Sequence, residues 1–526
     1  MKTQPAVNLA GPGVGLRRYL YGTAMVTGGS IMIVEILGAK LLAPYFGTST
    51  FVWTAQITMT LLALAGGYAA GGWLADRTQR LGWIYGGILL AALWLTLVTL
   101  LCEPIAFACL DLNLAIGSLV ASLILFLVPL AALAMVGPFF VRALTSDVAV
   151  VGGSVGRLTA LSTLGSVVGT LLIGYLLIPL MPNTTTLFAV AGLLIAVALV
   201  YFLVWERRRL APAGGAAVVA LVCGIAGVRA STLRAPDNFV ELLRRNSSFG
   251  LMQVVDHEAG EYRMYLNDLL VQNTYNPVTG QSQALFTHML HGLARSYAPA
   301  CQDVLCIGMG VGIVPMQLAH EGANVDVVEI NPAVVPLAQQ YFDFDPERVH
   351  LSIGDGRHFT MTTTNRYDAV VLDAFLGESP PSHLMTREAF AAIRRCLRPD
   401  GVLVMNAFGD FSKGEDFLIG SLHKSLKAVF ASVRLHASEI AGTGNVFLVA
   451  SDREPLAPVQ PMDLSGVPAF LQGKARAAFA GSPALRPEAG RVLTDDYNPV
   501  EFYDAHNRES LRRTLASSTD PRRSSR

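Results

Sequence analysis

Hydrophobic and polar positions divide the chain into two unlike halves. Before about residue 230, apolar residues run in long blocks near 20–43, 52–75, 82–102, 113–137, 155–180 and 185–205. Each reaches the roughly 20 residues an α-helix needs to cross a bilayer, so six spans are predicted. A seventh stretch, 213–230, is shorter and rich in Ala, Gly and Val. It either crosses, lies in the interface or folds back. The first block is long and other spans follow it, which excludes a cleavable signal peptide. Small residues recur inside the blocks, as at Gly66-Gly67, Gly71-Gly72 and Gly165 with Gly169. In lipid, such positions let helix backbones approach closely.

From about Ser247 the pattern shortens. Met252–Val255 and Tyr262–Val271 read as strands of an antiparallel hairpin around the turn 258–261. A helix is predicted over 281–297, and then strands alternate with helices. The strands fall at Asp303–Ile307, Val325–Ile330, Val349–Ile353, Ala369–Leu372 and Val402–Met405. This alternation predicts a doubly wound, mostly parallel, Rossmann-like sheet. The expected organisation is therefore a multi-pass membrane domain (1–230), a linker with the hairpin (231–280), an α/β domain (281–510) and a polar tail (511–526).

Composition sharpens the division. The 526 residues are 52% hydrophobic and 15% charged, with a net charge of +0. A neutral chain offers no polyanion-binding field, so no nucleic-acid partner is expected. The six cysteines are scattered without C-x-x-C pairs or nearby histidine clusters, which predicts neither a disulfide framework nor a metal site. Basic residues sit in alternate loops: Arg17-Arg18, Arg77 with Arg80, Arg142 with Arg157, and Arg207-Arg208-Arg209. The intervening loops carry no Lys or Arg, although Lys40 is close to the first. The positive-inside rule then places the N-terminus and the Arg-rich loops in the cytoplasm. Gly72 to Arg80 is similar to the cytoplasmic loop motif of major facilitator transporters, departing at Gln79 where that motif has glycine. Lys40 is near enough to the end of its span to snorkel. Glu35 lies deeper, and is either a functional intramembrane carboxylate or a structural one, protonated or paired with Lys40.

Ligands of doubly wound sheets bind outside the carboxyl ends of the strands. Four features fall there. Gly308, Gly310 and Gly312 follow the first strand and let backbone approach a ligand. Glu329 ends the second strand, where a carboxylate can accept from both ribose hydroxyls. Asp355-Gly356 follows the third strand, within reach of an adenine amino group. Asp373 ends the fourth, ahead of the Gly377–Pro381 loop, and can serve as general base toward an amine or as a turn cap. No G-x-x-x-x-G-K-[ST] loop occurs, so a ligand without phosphates, such as an S-adenosyl nucleoside, fits best.

These residues resemble the spermidine synthase family in its membrane-fused bacterial form, over about Ser247 to Pro499, with Glu35 to Trp53 similar to the fused membrane region. The resemblance implies that Glu329 binds ribose and Asp355-Gly356 binds adenine. It implies that Asp373 deprotonates the acceptor, Pro380 lines the methylthioadenosine pocket and Gln272 ends the hairpin strand on the substrate side. It also implies decarboxylated S-adenosylmethionine as co-substrate, with no metal, and putrescine or a related polyamine as acceptor. The expected location is a bacterial inner membrane with the soluble domain cytoplasmic, in contact with lipid, and a homodimer through the soluble domain is entertained. Leu493–Glu501 is similar to the tail of fused relatives. Three positions depart. Val311 replaces an Asp that holds the aminopropyl ammonium, Leu376 replaces a polyamine-contacting Asp, and Phe286-Thr287 replace an aromatic–His pair. Each lost charge-assisted contact is worth roughly 1.5–3 kcal/mol. An aminopropyltransferase-like enzyme is thus the leading expectation. A methyltransferase using S-adenosylmethionine and a transporter-like protein with a nucleoside-sensing domain are the alternatives.

Overall fold

The computed structural model describes residues 13–145, 151–207, 214–216, 218–225, 239–257, 260–375, 381–412, 416–438, 443–483, 485–486 and 488–503. Pro380, Leu376 and the 511–526 tail lie outside the described residues, as do 226–230 of the seventh apolar stretch. The chain divides into two compact units, Met1–Arg234 and Ala235–Arg526.

The first unit contains six helices long and apolar enough to cross a membrane, among the described residues. They comprise α1 (Val14–Phe46), α2 (Thr50–Arg77), α3 (Gly82–Cys109), α4 (Leu114–Ala134) continuing into α5 (Val136–Leu144), α6 (Val151–Leu172) and α7 (Asn183–Trp205). A π-helical turn carries α6 on to Leu180. Glycine sets the contacts. A Cβ on Gly165 or Gly169 would collide with the backbone of Met25 or Gly29, and one on Gly67 would meet Ala131 and Ala134. Gly66 and Gly72 face open space, so in each adjacent pair, Gly66-Gly67 and Gly71-Gly72, one glycine packs and the other does not. Glu35 is half-buried on α1. A shorter apolar helix spans Gly214–Ile225.

The second unit holds two sheets. One is five-stranded and antiparallel in sequential order: β1 (Phe239–Ser247), β2 (Gly250–His257), β3 (Tyr262–Asn267), β4 (Leu270–Asn276) and β5 (Gln281–Ser282). It replaces the expected two-stranded hairpin. The predicted strand Tyr262–Val271 is two strands, because Asp268 (φ 48°) and Leu269 (φ 64°) form a two-residue turn with both residues left-handed. The Asp268 carboxylate stabilises that turn by accepting the Leu251 N–H at 2.9 Å.

The other sheet has seven strands: β6 (Asp303–Ile307), β7 (Asn324–Glu329), β8 (His350–Ile353), β9 (Tyr367–Leu372), β10 (Leu397–Asp410), β11 (Ser432–Ala437) and β12 (Thr443–Ser451). Their spatial order is β11-β12-β10-β9-β6-β7-β8. Strands β10, β9, β6, β7 and β8 are parallel, while β12 runs antiparallel to both β10 and β11. Every residue of β9 is buried, as expected for a central strand covered on both faces. Helices α8 (Leu285–Tyr297), α9 (Ile313–His320), α10 (Val334–Tyr341), α11 (Gly356–Thr362), α12 (Arg387–Cys396), α13 (Phe417–Lys427) and α14 (Ala469–Ala480) surround it. Strand order reverses between β6 and β9. That opens a crevice at their carboxyl ends.

Candidate functional site

A cavity of about 450 Å³ occupies this crevice. Its floor is the turn after β6. Gly308 has φ 88°, and a side chain there would collide with the Asp373 carbonyl. Gly310 (φ 55°) also faces the cavity, close to Asn273. Gly312 does not: it starts α9, and a Cβ there would strike the Phe344 ring, so its role is packing.

Glu329 reaches the cavity from the end of β7 and is 8% exposed. Its Oε2 accepts the Met309 N–H at 2.9 Å, and its Oε1 the Asn331 N–H at 2.7 Å. The carboxylate thereby holds the glycine turn. Each oxygen keeps a lone pair for a further donor. Burial pushes its pKa up, and the backbone N–H bonds oppose that rise.

Asp355 caps α11, with Oδ1 accepting the His358 N–H at 2.8 Å. Its Oδ2 lies 2.8 Å from His383 Nε2. Burial pushes the Asp355 carboxyl up, but the His358 amide and His383 outweigh it and leave the group below its ordinary value. The adjacent Gly356 is buried against the Ile307 side chain.

Asp373 follows β9, its N–H donating to the Ile307 carbonyl at 2.9 Å. Asn406 Nδ2 donates to Asp373 Oδ1 at 2.9 Å, and Asn445 Nδ2 donates to Asn406 Oδ1 at 3.1 Å. This amide chain fixes one carboxylate oxygen. Burial pushes the Asp373 carboxyl up to about 6, against the lowering effect of the Asn406 bond. A carboxyl at that value is a stronger base than an ordinary Asp and still ionised at neutral pH.

Gln272 lines the cavity from β4, so the structure brings it together with Gly308, Gly310, Glu329, Asp355, Gly356 and Asp373. Pro380 lies outside the described residues, while Pro381, the next residue in sequence, lines the cavity wall. Among the described residues, the cavity's only carboxylates are Glu329, Asp355 and Asp373. Val311 is 1% exposed and packs in the apolar core instead of the cavity wall. Phe286 lines the wall, while the buried Thr287 hydroxyl lies 2.9 Å from the Ala284 carbonyl. Sequence reading missed Asn406, Asn445 and His383. The one signal available was an Asn just beyond an apolar strand, at position 406.

Residues 283–453 match the spermine/spermidine synthase domain family. The chain is 30% identical over 282 residues to the N-terminal histidine N-methyltransferase of Emericella nidulans, covering 48% of this chain and 50% of that protein. It is 41% identical over 120 residues to the polyamine aminopropyltransferase of Vibrio vulnificus, covering 21% of this chain and 40% of that protein. The chain thus spans half or less of the length of these two relatives. A solved structure, a probable spermidine synthase from Corynebacterium glutamicum, aligns with a TM-score of 0.38 at 18% identity, over 54% of this chain and 95% of that one.

Proposed function

We propose that this chain is a membrane-embedded transferase of the aminopropyltransferase type, moving a carbon group from an S-adenosyl donor to an amine nitrogen. The observation that carries the reading is one shared cavity. Asp373, oriented by Asn406 and raised to about 6, opens onto the same space as Glu329 and Asp355. Glu329 would take the ribose hydroxyls, Asp355 with Gly356 the adenine edge, and Pro380 and Gln272 the thioether and acceptor sides. With decarboxylated S-adenosylmethionine, the acceptor nitrogen's lone pair attacks the carbon next to the sulfonium. The C–S bond breaks, its electrons return to sulfur, and methylthioadenosine leaves neutral. Asp373 takes the proton the nitrogen sheds. Holding both reactants in one cavity supplies much of the acceleration. The membrane domain is proposed as 1–230, with the catalytic domain 281–510 in the cytoplasm where the donor is made, and a small polyamine as acceptor.

A second reading, methyl transfer from S-adenosylmethionine, is favoured by Val311. With that position apolar and buried, no carboxylate there meets the aminopropyl ammonium or repels the carboxylate of ordinary S-adenosylmethionine. The Emericella relative, named as a methyltransferase, points the same way. Full-length protein is incubated with each donor plus putrescine or spermidine. Methylthioadenosine from the decarboxylated donor supports the first reading. S-adenosylhomocysteine alone, from ordinary S-adenosylmethionine, replaces it with the second, and neither product overturns both.

A further inference from the structure

The tail segment beginning at Leu493 crosses the loop that forms one wall of the cavity. Leu493 is fully buried, its N–H donates to Ser425 Oγ at 2.8 Å, and its carbonyl accepts the Arg387 N–H at 2.8 Å. Two residues on, Asp495 grips Arg357 with both oxygens, Nη1 lying 2.7 Å from Oδ1 and Nη2 against Oδ2. Thr386 Oγ1 donates to the same Oδ1 at 2.7 Å. Asn498 Nδ2 donates to the Ser382 carbonyl at 2.7 Å. Arg357 is in turn bound to the loop, since its Nη1 donates to the His383 carbonyl at 2.8 Å.

These contacts converge on the cavity wall. Arg357 stands two residues after Asp355 in α11. His383, whose carbonyl Arg357 holds, points its Nε2 at Asp355 Oδ2. An isolated exposed ion pair contributes little. A bidentate guanidinium–carboxylate pair, however, fixes geometry as well as charge. Here it ties three separate chain segments together at one point.

We propose that Leu493–Asn498 is a positioning strap for the nucleoside subsite: Asp495 and Asn498 clamp the Ser382–Thr386 segment to α11, which holds His383 and Asp355 at fixed spacing in the cavity wall. The inference rests on the nucleoside reading of that cavity and deepens it. Asp495 is a positioning residue, acting on the ligand only through Arg357, His383 and Asp355.

The test is calorimetric affinity of the full-length protein in detergent for methylthioadenosine and S-adenosylhomocysteine. Asp495→Asn is expected to weaken binding of the nucleoside that the wild type prefers about tenfold, while in a His383→Ala background it costs less than about twofold, because coupled residues do not add. With substrate saturating, kcat stays within about twofold, so the loss falls on KM. Should Asp495→Asn fail to fold, Asn498→Ala carries the same expectation with a loss of about threefold. Wild-type affinity in the variants, or penalties that multiply in full with His383→Ala, overturns the strap alone. A wild-type protein that binds neither nucleoside overturns the reading of the cavity, and the strap with it.

Discussion

At the residue scale, the proposed function turns on Asp373 and the amide chain behind it. A base with a pKa of about 6 is protonated and inactive below that value, so kcat/KM should rise with pH through about 6 and then level. Asn406 lowers that pKa by donating to the ionised form. Asn406→Ala should therefore move the acid limb to higher pH, which a pH–rate profile reads directly; an unmoved limb would mean that Asp373 is not the titrating base. Asp373→Asn keeps the shape and removes the base. It should reduce turnover about 100- to 10,000-fold while leaving nucleoside affinity nearly unchanged. Unchanged cellular function in that variant, despite the lost turnover, would favour a sensing role for the cavity over catalysis. The carboxylates were legible in the sequence because each ends a strand, and parallel strands present their ends side by side. The amides were not. Asn445 reaches Asn406 only because β12 pairs antiparallel with β10, setting Asn445 opposite Phe408, and nothing local to either residue encodes that pairing.

At the element scale, helix contacts in the first unit rest on backbone approach at glycine. Gly169 lies against the Gly29 backbone, where a larger side chain has no room, whereas Gly66 faces open space. Gly169→Val should destabilise the unit by about 1–3 kcal/mol, as overpacking does, and Gly66→Val by less than about 0.5 kcal/mol. Thermal unfolding of the two variants in detergent compares them, and equal shifts would remove the contact argument. The sequence named both glycines of each pair, since spacing alone does not say which face meets a neighbour. Long apolar blocks and the α/β alternation were legible for the opposite reason: burial on all sides, or on a regular stripe, writes itself into the local pattern. The small antiparallel sheet was only half legible. β1 carries a register shift between Glu241 and Leu243, which breaks two-residue alternation. The turn at Asp268-Leu269 uses a leucine at positive φ, a choice no turn propensity would suggest.

At the scale of the whole molecule, the proposed chemistry requires the second unit to face the compartment where S-adenosyl donors are made. If the six apolar helices cross in turn from a cytoplasmic N-terminus, as the basic loops predict, they end on the same side at the basic residues Arg207–Arg209. The apolar helix Gly214–Ile225 would reverse this if it crossed. Sealed vesicles of both orientations decide the matter. Protease should remove the second unit from inverted vesicles and spare it in right-side-out ones. The reverse pattern would place Asp373 and its cavity away from cytosolic donors, and S-adenosyl transfer would then fail for the intact protein whatever the purified cavity binds. The geometry around Asp373 therefore becomes an argument about activity in the cell only through the side of the membrane on which the chain sets it.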